Sequence, residues 1–135
     1  MNGQETKKIV LAVDDMPLNL AAIKTILHND FDIRLAKSAR TAFAILDTVK
    51  VDIILVDIEM PEISGFEFVD RLRGNHERPE QKNIPIIFVT SHETPDIVRR
   101  AVSGGAGYVV KPVGPPLLEK VNSALAVTKK TNPSA

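Results

Sequence analysis

Val51-Asp52-Ile53-Ile54-Leu55-Val56-Asp57 is a short apolar run, rich in β-branched residues, that stops on a carboxylate. Such a run, bounded by polar residues, has the pattern of a strand buried on both faces. Three more runs share its form. Ile9–Val13 leads into Asp14 and Asp15, residues 86–89 lead into Thr90, and Tyr108–Val110 leads into Lys111 and Pro112. A fifth segment, residues 31–36, alternates Phe31, Ile33 and Leu35 with Asp32 and Arg34, as a half-exposed or edge strand does.

Helical patterns separate these runs. Pro17 suits a first helical turn, where its missing N–H has no intrahelical partner to lose, and Leu20, Ile23, Ile26 and Leu27 follow at helical spacing before Asn29 and Asp30 close the segment. Ser38 is placed to cap a second helix that turns Ala42, Ile45, Leu46 and Val49 inward. Met60-Pro61-Glu62-Ile63-Ser64-Gly65 reads as a loop, followed by a helix over about 65–73 that buries Phe66, Val69 and Leu72. Residues 74–83 read as a solvated loop, and residues 84–89 read as the next strand, with Pro85 near its start, where proline is tolerated. Pro95 opens a helix carrying Ile97, Val98, Ala101 and Val102; Gly104, Gly105 and Gly107 then supply left-handed backbone past its end. Gly114-Pro115-Pro116 leads into a last helix through Leu118, Val121 and Leu125. Strand and helix therefore alternate five times. Buried parallel strands with short right-handed crossovers give an α/β fold, a doubly wound five-stranded parallel sheet flanked by five helices. One domain is expected over residues 8–128, with 1–7 a flexible lead-in and 129–135 a tail or the start of a linker.

Composition narrows the function classes. Seventeen basic residues balance seventeen acidic ones, so no net charge draws the chain to nucleic acid or to an acidic membrane. Absence of cysteine excludes a disulfide framework and a thiolate metal site, and suits a reducing compartment. No apolar stretch approaches the roughly 18 residues of a membrane span, and residues 1–8 lack a signal-peptide core. A cytoplasmic location is expected.

If the runs are parallel strands, their carboxyl ends lie side by side, where open α/β sheets place ligand sites. Asp14, Asp15, Asp57, Thr90 and Lys111 then share one cleft. Three carboxylates together repel one another unless a cation is present, and Mg2+ (or Mn2+) prefers such oxygen ligands. Adjacent Asp14 and Asp15 point opposite ways from a strand, so one is expected to bind directly and the other through water. Asp57 is a candidate covalent nucleophile, since carboxylates form acyl phosphates. Lys111 supplies a point charge for phosphate or for Asp57, and a cis bond to Pro112 would turn its ammonium inward. Thr90 offers a hydroxyl to a phosphoryl oxygen. His28 and His76 have no companions at metal-ligand spacing and read as surface residues.

These motifs resemble the receiver domain of two-component response regulators, over roughly residues 8–127. The resemblance rests on Val13-Asp14-Asp15 followed by Pro17-Leu18-Asn19, on Asp57-Ile58-Glu59-Met60-Pro61 with Gly65, on Val89-Thr90-Ser91, and on Tyr108-Val109-Val110-Lys111-Pro112. It implies a flavodoxin-like sheet of strand order 2-1-3-4-5. It further implies that Asp57 accepts a phosphoryl group from a phosphohistidine on a sensor histidine kinase or a histidine phosphotransfer protein. By the same resemblance, Asp14, Asp15, Asp57 and the Glu59 backbone carbonyl organise Mg2+, while Thr90 and Lys111 hold the phosphoryl oxygens. Thr90 and Tyr108 would act as the switch, remodelling a face of the fourth helix, fifth strand and fifth helix that could also form a homodimer. Glu59 and His92, each two residues past a site residue, occupy positions that in the family tune dephosphorylation, which the resemblance implies for them here. The glycine-rich Ser103-Gly104-Gly105-Ala106-Gly107 departs from common family usage and raises the entropy lost on ordering that loop.

Two rivals stay open. A Mg2+-dependent phosphatase of the haloacid dehalogenase kind also uses a strand-end aspartate, but needs an acid/base aspartate where Glu59 stands and later acidic ligands where Thr90-Ser91-His92 stands. A pseudo-receiver would bind partners without phosphorylation, against which the complete set of Asp14, Asp15, Asp57, Thr90 and Lys111 argues. No DNA-binding helix-turn-helix follows Val127, and the output and cognate partner are not encoded in these motifs.

Overall fold

The computed structural model describes the backbone of residues 6–130 and side chains through residue 127. Five strands alternate with five helices: β1 (Ile9–Val13), α1 (Pro17–Leu27), β2 (Asp32–Ala36), α2 (Ala39–Thr48), β3 (Ile53–Asp57), α3 (Gly65–Arg73), β4 (Ile86–Thr90), α4 (Pro95–Gly104), β5 (Tyr108–Val110) and α5 (Pro116–Lys130). All strand pairs are parallel, in the order β2-β1-β3-β4-β5 expected from the resemblance.

The period-two geometry of a strand explains why the central runs are apolar throughout. Leu11, Val13, Ile54, Val56, Ile86 and Phe88 face one core with Ala42 and Leu46 of α2, Phe66, Phe68, Val69 and Leu72 of α3, and Ala101 of α4. Their neighbours Val10, Ala12, Ile53, Leu55, Ile87 and Val89 face a second core with Leu20, Ile23 and Leu27 of α1 and Leu117, Val121 and Ala124 of α5. Each alternate residue thus serves one of two helical layers, and each fully buried Leu, Ile or Phe contributes about 1.5–3 kcal/mol.

Local chemistry sets the element ends. Ser38 caps α2 by accepting from the Thr41 amide at 3.1 Å, and Ser64 caps α3 by accepting from the Glu67 amide at 3.1 Å. The first helix ends at Leu27, earlier than the expected stop at Asn29 and Asp30, because the amides of both Asp30 and Phe31 turn back onto the Leu27 carbonyl. Strand β3 begins at Ile53; Asp52 stands outside it, and its carboxylate accepts from the Ile9 amide at 2.7 Å, tying β3 to the start of β1.

Residues 74–83 are not simply a solvated loop. Pro79–Asn83 forms a 3-10 turn, with Gln81 buried and its amide donating to the Leu46 carbonyl at 3.0 Å. The Arg73 guanidinium donates to the Lys82 carbonyl and, at 3.2 Å, to the Ile84 carbonyl. Burial pushes its pKa down. A polar segment is held here because it satisfies carbonyls of neighbouring elements.

Left-handed backbone, expected at Gly104, Gly105 and Gly107, is found only at Gly107, whose φ is 134°, and Gly104 is the last residue of α4 instead of lying past it. Gly105 answers to space instead: a Cβ there would meet the Ile86 carbonyl oxygen at 2.8 Å and the Phe88 ring at 3.0 Å. Residues 129 and 130, expected in a tail, belong to α5; the remainder of that tail, and lead-in residues 1–5, lie outside the described residues. Among the described residues, no helix is long and apolar enough to cross a membrane.

Gly65 brings α3 against the end of β3. Its amide donates to the Ile58 carbonyl at 2.9 Å, and an added Cβ would lie 2.5 Å from the Asp57 carbonyl oxygen. Backbone cannot yield as a flexible side chain can. Gly65→Ala is expected to destabilise the domain by about 1–3 kcal/mol, read as a lower urea midpoint, and an unchanged midpoint would refute this close approach.

Candidate functional site

The strand order reverses between β1 and β3, the switch point at which ligands bind in doubly wound sheets. Register pairs Val13 with Val56, so the next residues, Asp14 and Asp57, emerge side by side. Both are buried, each 1% exposed, whereas Asp15 is half-buried. One carboxylate oxygen from each of Asp14, Asp15 and Asp57 lies within 4.8 Å of the others.

Lys111 leaves the end of β5 and crosses to this cluster, with its side chain only 15% exposed. Its Nζ donates to Asp57 Oδ2 at 3.0 Å and stands 3.2 Å from Asp14 Oδ2. The Lys111–Pro112 peptide is cis. At these two distances one ammonium bridges two buried carboxylates. Burial works against its charge, but the Asp57 hydrogen bond and the charges of Asp57 and Asp14 prevail and raise its pKa. For Asp57, burial is the strongest influence and raises the pKa; the bonds from Lys111 and from the Glu59 amide, at 3.0 Å, reduce the rise without cancelling it.

Asp14 is oriented by its own chain. Oδ1 accepts from the Met16 amide at 2.9 Å and from Asn19 Nδ2 at 3.4 Å. Oδ2 points into the cluster and, despite the nearby ammonium, receives no aligned hydrogen bond. A buried carboxylate oxygen held only by an ion pair keeps a lone pair to offer a cation. With Asp15 and Asp57 it makes a net negative, all-oxygen donor set that fits a small hard divalent cation. Sequence reading did not single out Asn19 as part of this site. Its signal was position: a carboxamide in the first turn of α1, five residues past Asp14, reaches back toward it.

Thr90 ends β4 fully buried, but its hydroxyl is already engaged, donating to the His92 carbonyl at 2.9 Å and accepting from the His92 amide at 3.0 Å. Glu59 and His92 meet across the mouth of the site through Oε2 and Nδ1, and Glu59 Oε1 accepts from the Ser91 amide at 3.5 Å. Tyr108 is held elsewhere, its hydroxyl donating to Glu93 at 2.8 Å. The fold thus gathers Asp14, Asp15, Asp57 and Lys111, pairs Glu59 with His92, and leaves Thr90 and Tyr108 bonded to the turn after β4.

The chain is similar in sequence and fold to known proteins. The family model described as "Response regulator receiver domain" matches residues 10–122. A "Probable cyclic di-GMP phosphodiesterase" of Vibrio cholerae is 38% identical over 82% of this chain and 24% of its own length. A "Hybrid signal transduction histidine kinase I" of Dictyostelium discoideum is 39% identical over 83% of the chain and 7% of its own length. The chain therefore spans a small part of both. It covers 85% of a rice "Two-component response regulator ORR3", at 32% identity over 82% of this chain. Among solved structures, chemotaxis protein CheY4 of Vibrio cholerae superposes with a TM-score of 0.80 at 29% identity, covering 88% of this chain and 99% of that one. Strand order, strand-end cluster and family match agree, and the chain belongs to the response regulator receiver domains of two-component signalling.

Proposed function

We propose that this domain is a phosphorylation-dependent switch that accepts a phosphoryl group on Asp57 from a phosphohistidine donor. The observation that carries this reading is the Lys111 ammonium bridging buried Asp57 and Asp14 at strand ends that also gather Asp15. Transfer forms a bond between phosphorus and an Asp57 carboxylate oxygen as the phosphorus–nitrogen bond to the donor imidazole breaks. The electron pair stays on that nitrogen, which takes a proton from solvent. Lys111 stays close enough to follow the charge that develops on the phosphoryl oxygens. Asp14, Asp15, Asp57 and the Glu59 carbonyl would hold Mg2+ (or Mn2+), which supplies further neutralisation of that charge. Thr90 would release His92 and turn its hydroxyl to a phosphoryl oxygen, while Tyr108 moves inward.

A sensor histidine kinase or a histidine phosphotransfer protein would dock where Met16 and Leu18 stand 52% and 78% exposed beside the acidic pair. Exposed Val102, Val110 and Val127 on α4, β5 and α5 support the proposed homodimer face. A self-modifying switch is favoured over a turnover phosphatase because Glu59, two residues past Asp57, is tied to His92. Incubation with Mg2+ and acetyl phosphate tests this: the switch labels itself once, whereas a phosphatase would release phosphate from a simple monoester over many turnovers.

Glu59 and His92 are proposed to set the lifetime of the acyl phosphate by bordering the path of attacking water, a role supported by their contact with each other beside Asp57 and Thr90. Glu59→Ala is expected to speed loss of phosphate by roughly threefold, on the order expected for opening a partly shielded site. Equal decay rates, measured by intact mass after removal of the donor, would defeat this role.

A further inference from the structure

Tyr108 is the only tyrosine in a chain without tryptophan. It begins the three-residue strand β5, which is nowhere fully buried, and its ring only partly enters the core beside Phe88. Packing alone therefore leaves the ring loosely determined. Its hydroxyl donates to Glu93 at 2.8 Å. Glu93 immediately precedes Thr94, whose hydroxyl caps α4 by accepting from the Ile97 amide at 3.3 Å. The bond thus ties β5 to the start of α4. Thr90 holds the same turn from the other side, through both backbone groups of His92.

We infer that Glu93 is a positioning residue, a carboxylate latch that holds Tyr108 outward and opposes its inward movement when Asp57 is modified. The inference rests on the phosphoacceptor reading for its second half only. A phenol that donates to a carboxylate gives up a charge-assisted hydrogen bond when it turns away, so the latch favours the unmodified arrangement. Carboxylate and turn are both exposed, and replacing Glu93 leaves the core intact. The Glu93 bond, with burial second, also keeps the phenol pKa above its ordinary value.

The test has two arms. Absorbance titration of the single phenol should shift to lower pH in Glu93→Ala, with Glu93→Gln between it and the wild type. Binding of beryllofluoride, a phosphoryl mimic, in the presence of Mg2+ should reach half-saturation at a roughly fivefold lower concentration in Glu93→Ala, the scale of one modest hydrogen bond. Tyr108→Phe should abolish the further effect of Glu93→Ala on that half-saturation. An unmoved phenol titration, or half-saturation at the wild-type concentration in Glu93→Ala, would overturn the latch. Wild-type protein that takes up no beryllofluoride would instead overturn the phosphoacceptor reading, and with it the coupling to Asp57.

Discussion

Asp57→Asn is expected to abolish covalent labelling by acetyl phosphate and Mg2+, seen as loss of the one-phosphoryl mass gain in the intact protein. An asparagine amide fills the same space but has no carboxylate oxygen able to attack phosphorus. Residual acid-labile label in the variant would place the phosphoacceptor elsewhere. The same substitution has a thermodynamic signature. Asp57 has a folded pKa above its unfolded value, with burial the leading cause. Its contribution to stability is thus fully present below the unfolded pKa and is lost as pH rises through the folded one. In chelator, then, the asparagine variant should be more stable than wild type near neutral pH, and the difference should shrink as pH falls toward about 4, the ordinary carboxylate range. Denaturant midpoints across pH measure this, and a constant gap would contradict it.

Lys111→Ala is expected to be the most destabilising single change at the site. It leaves Asp14 and Asp57, both 1% exposed, facing each other without their shared counter-charge. Removing one partner from a buried charge cluster costs about 3–5 kcal/mol. Millimolar Mg2+ should return much of that loss, because a cation bound to the folded state stabilises it by mass action, and acid should return part by neutralising a carboxylate. Lys111→Arg separates charge from shape: it keeps the charge but presents a planar fork in place of a compact ammonium. A Lys111→Ala variant within about 0.5 kcal/mol of wild type, with or without Mg2+, would show that the carboxylates do not depend on this ammonium.

Much of the architecture is legible in the sequence alone. The runs at β1, β3, β4 and β5 announced themselves because a strand buried on both faces has no polar positions to spare. Ser38 announced the start of α2 because its hydroxyl serves a local amide three residues on. What escaped notice depends on partners distant in sequence. Gln81 looks like any polar loop residue until the fold sets the Leu46 carbonyl beside it. Asp52 looks like part of a strand until its carboxylate meets the Ile9 amide. Gly105 looks like a turn glycine, although the β4 backbone and Phe88 leave no room for a side chain there.

The candidate site divides in the same way. Residue types at four strand ends were enough to predict Asp14, Asp15, Asp57, Thr90 and Lys111 in one cleft, since parallel strands must align their carboxyl ends. The fold gathers the carboxylates and Lys111, while the Thr90 hydroxyl is turned to His92. Which atoms meet is another matter. That Lys111 serves both Asp14 and Asp57, that Thr90 bonds His92, and that Glu93 holds Tyr108 follow only from the tertiary structure. The physical reason is the range of choice open to each group. The polar residue that ends an apolar run fixes where its strand stops, whereas a hydroxyl, phenol or ammonium has several accessible rotamers, and only the surrounding fold supplies the partner that selects one.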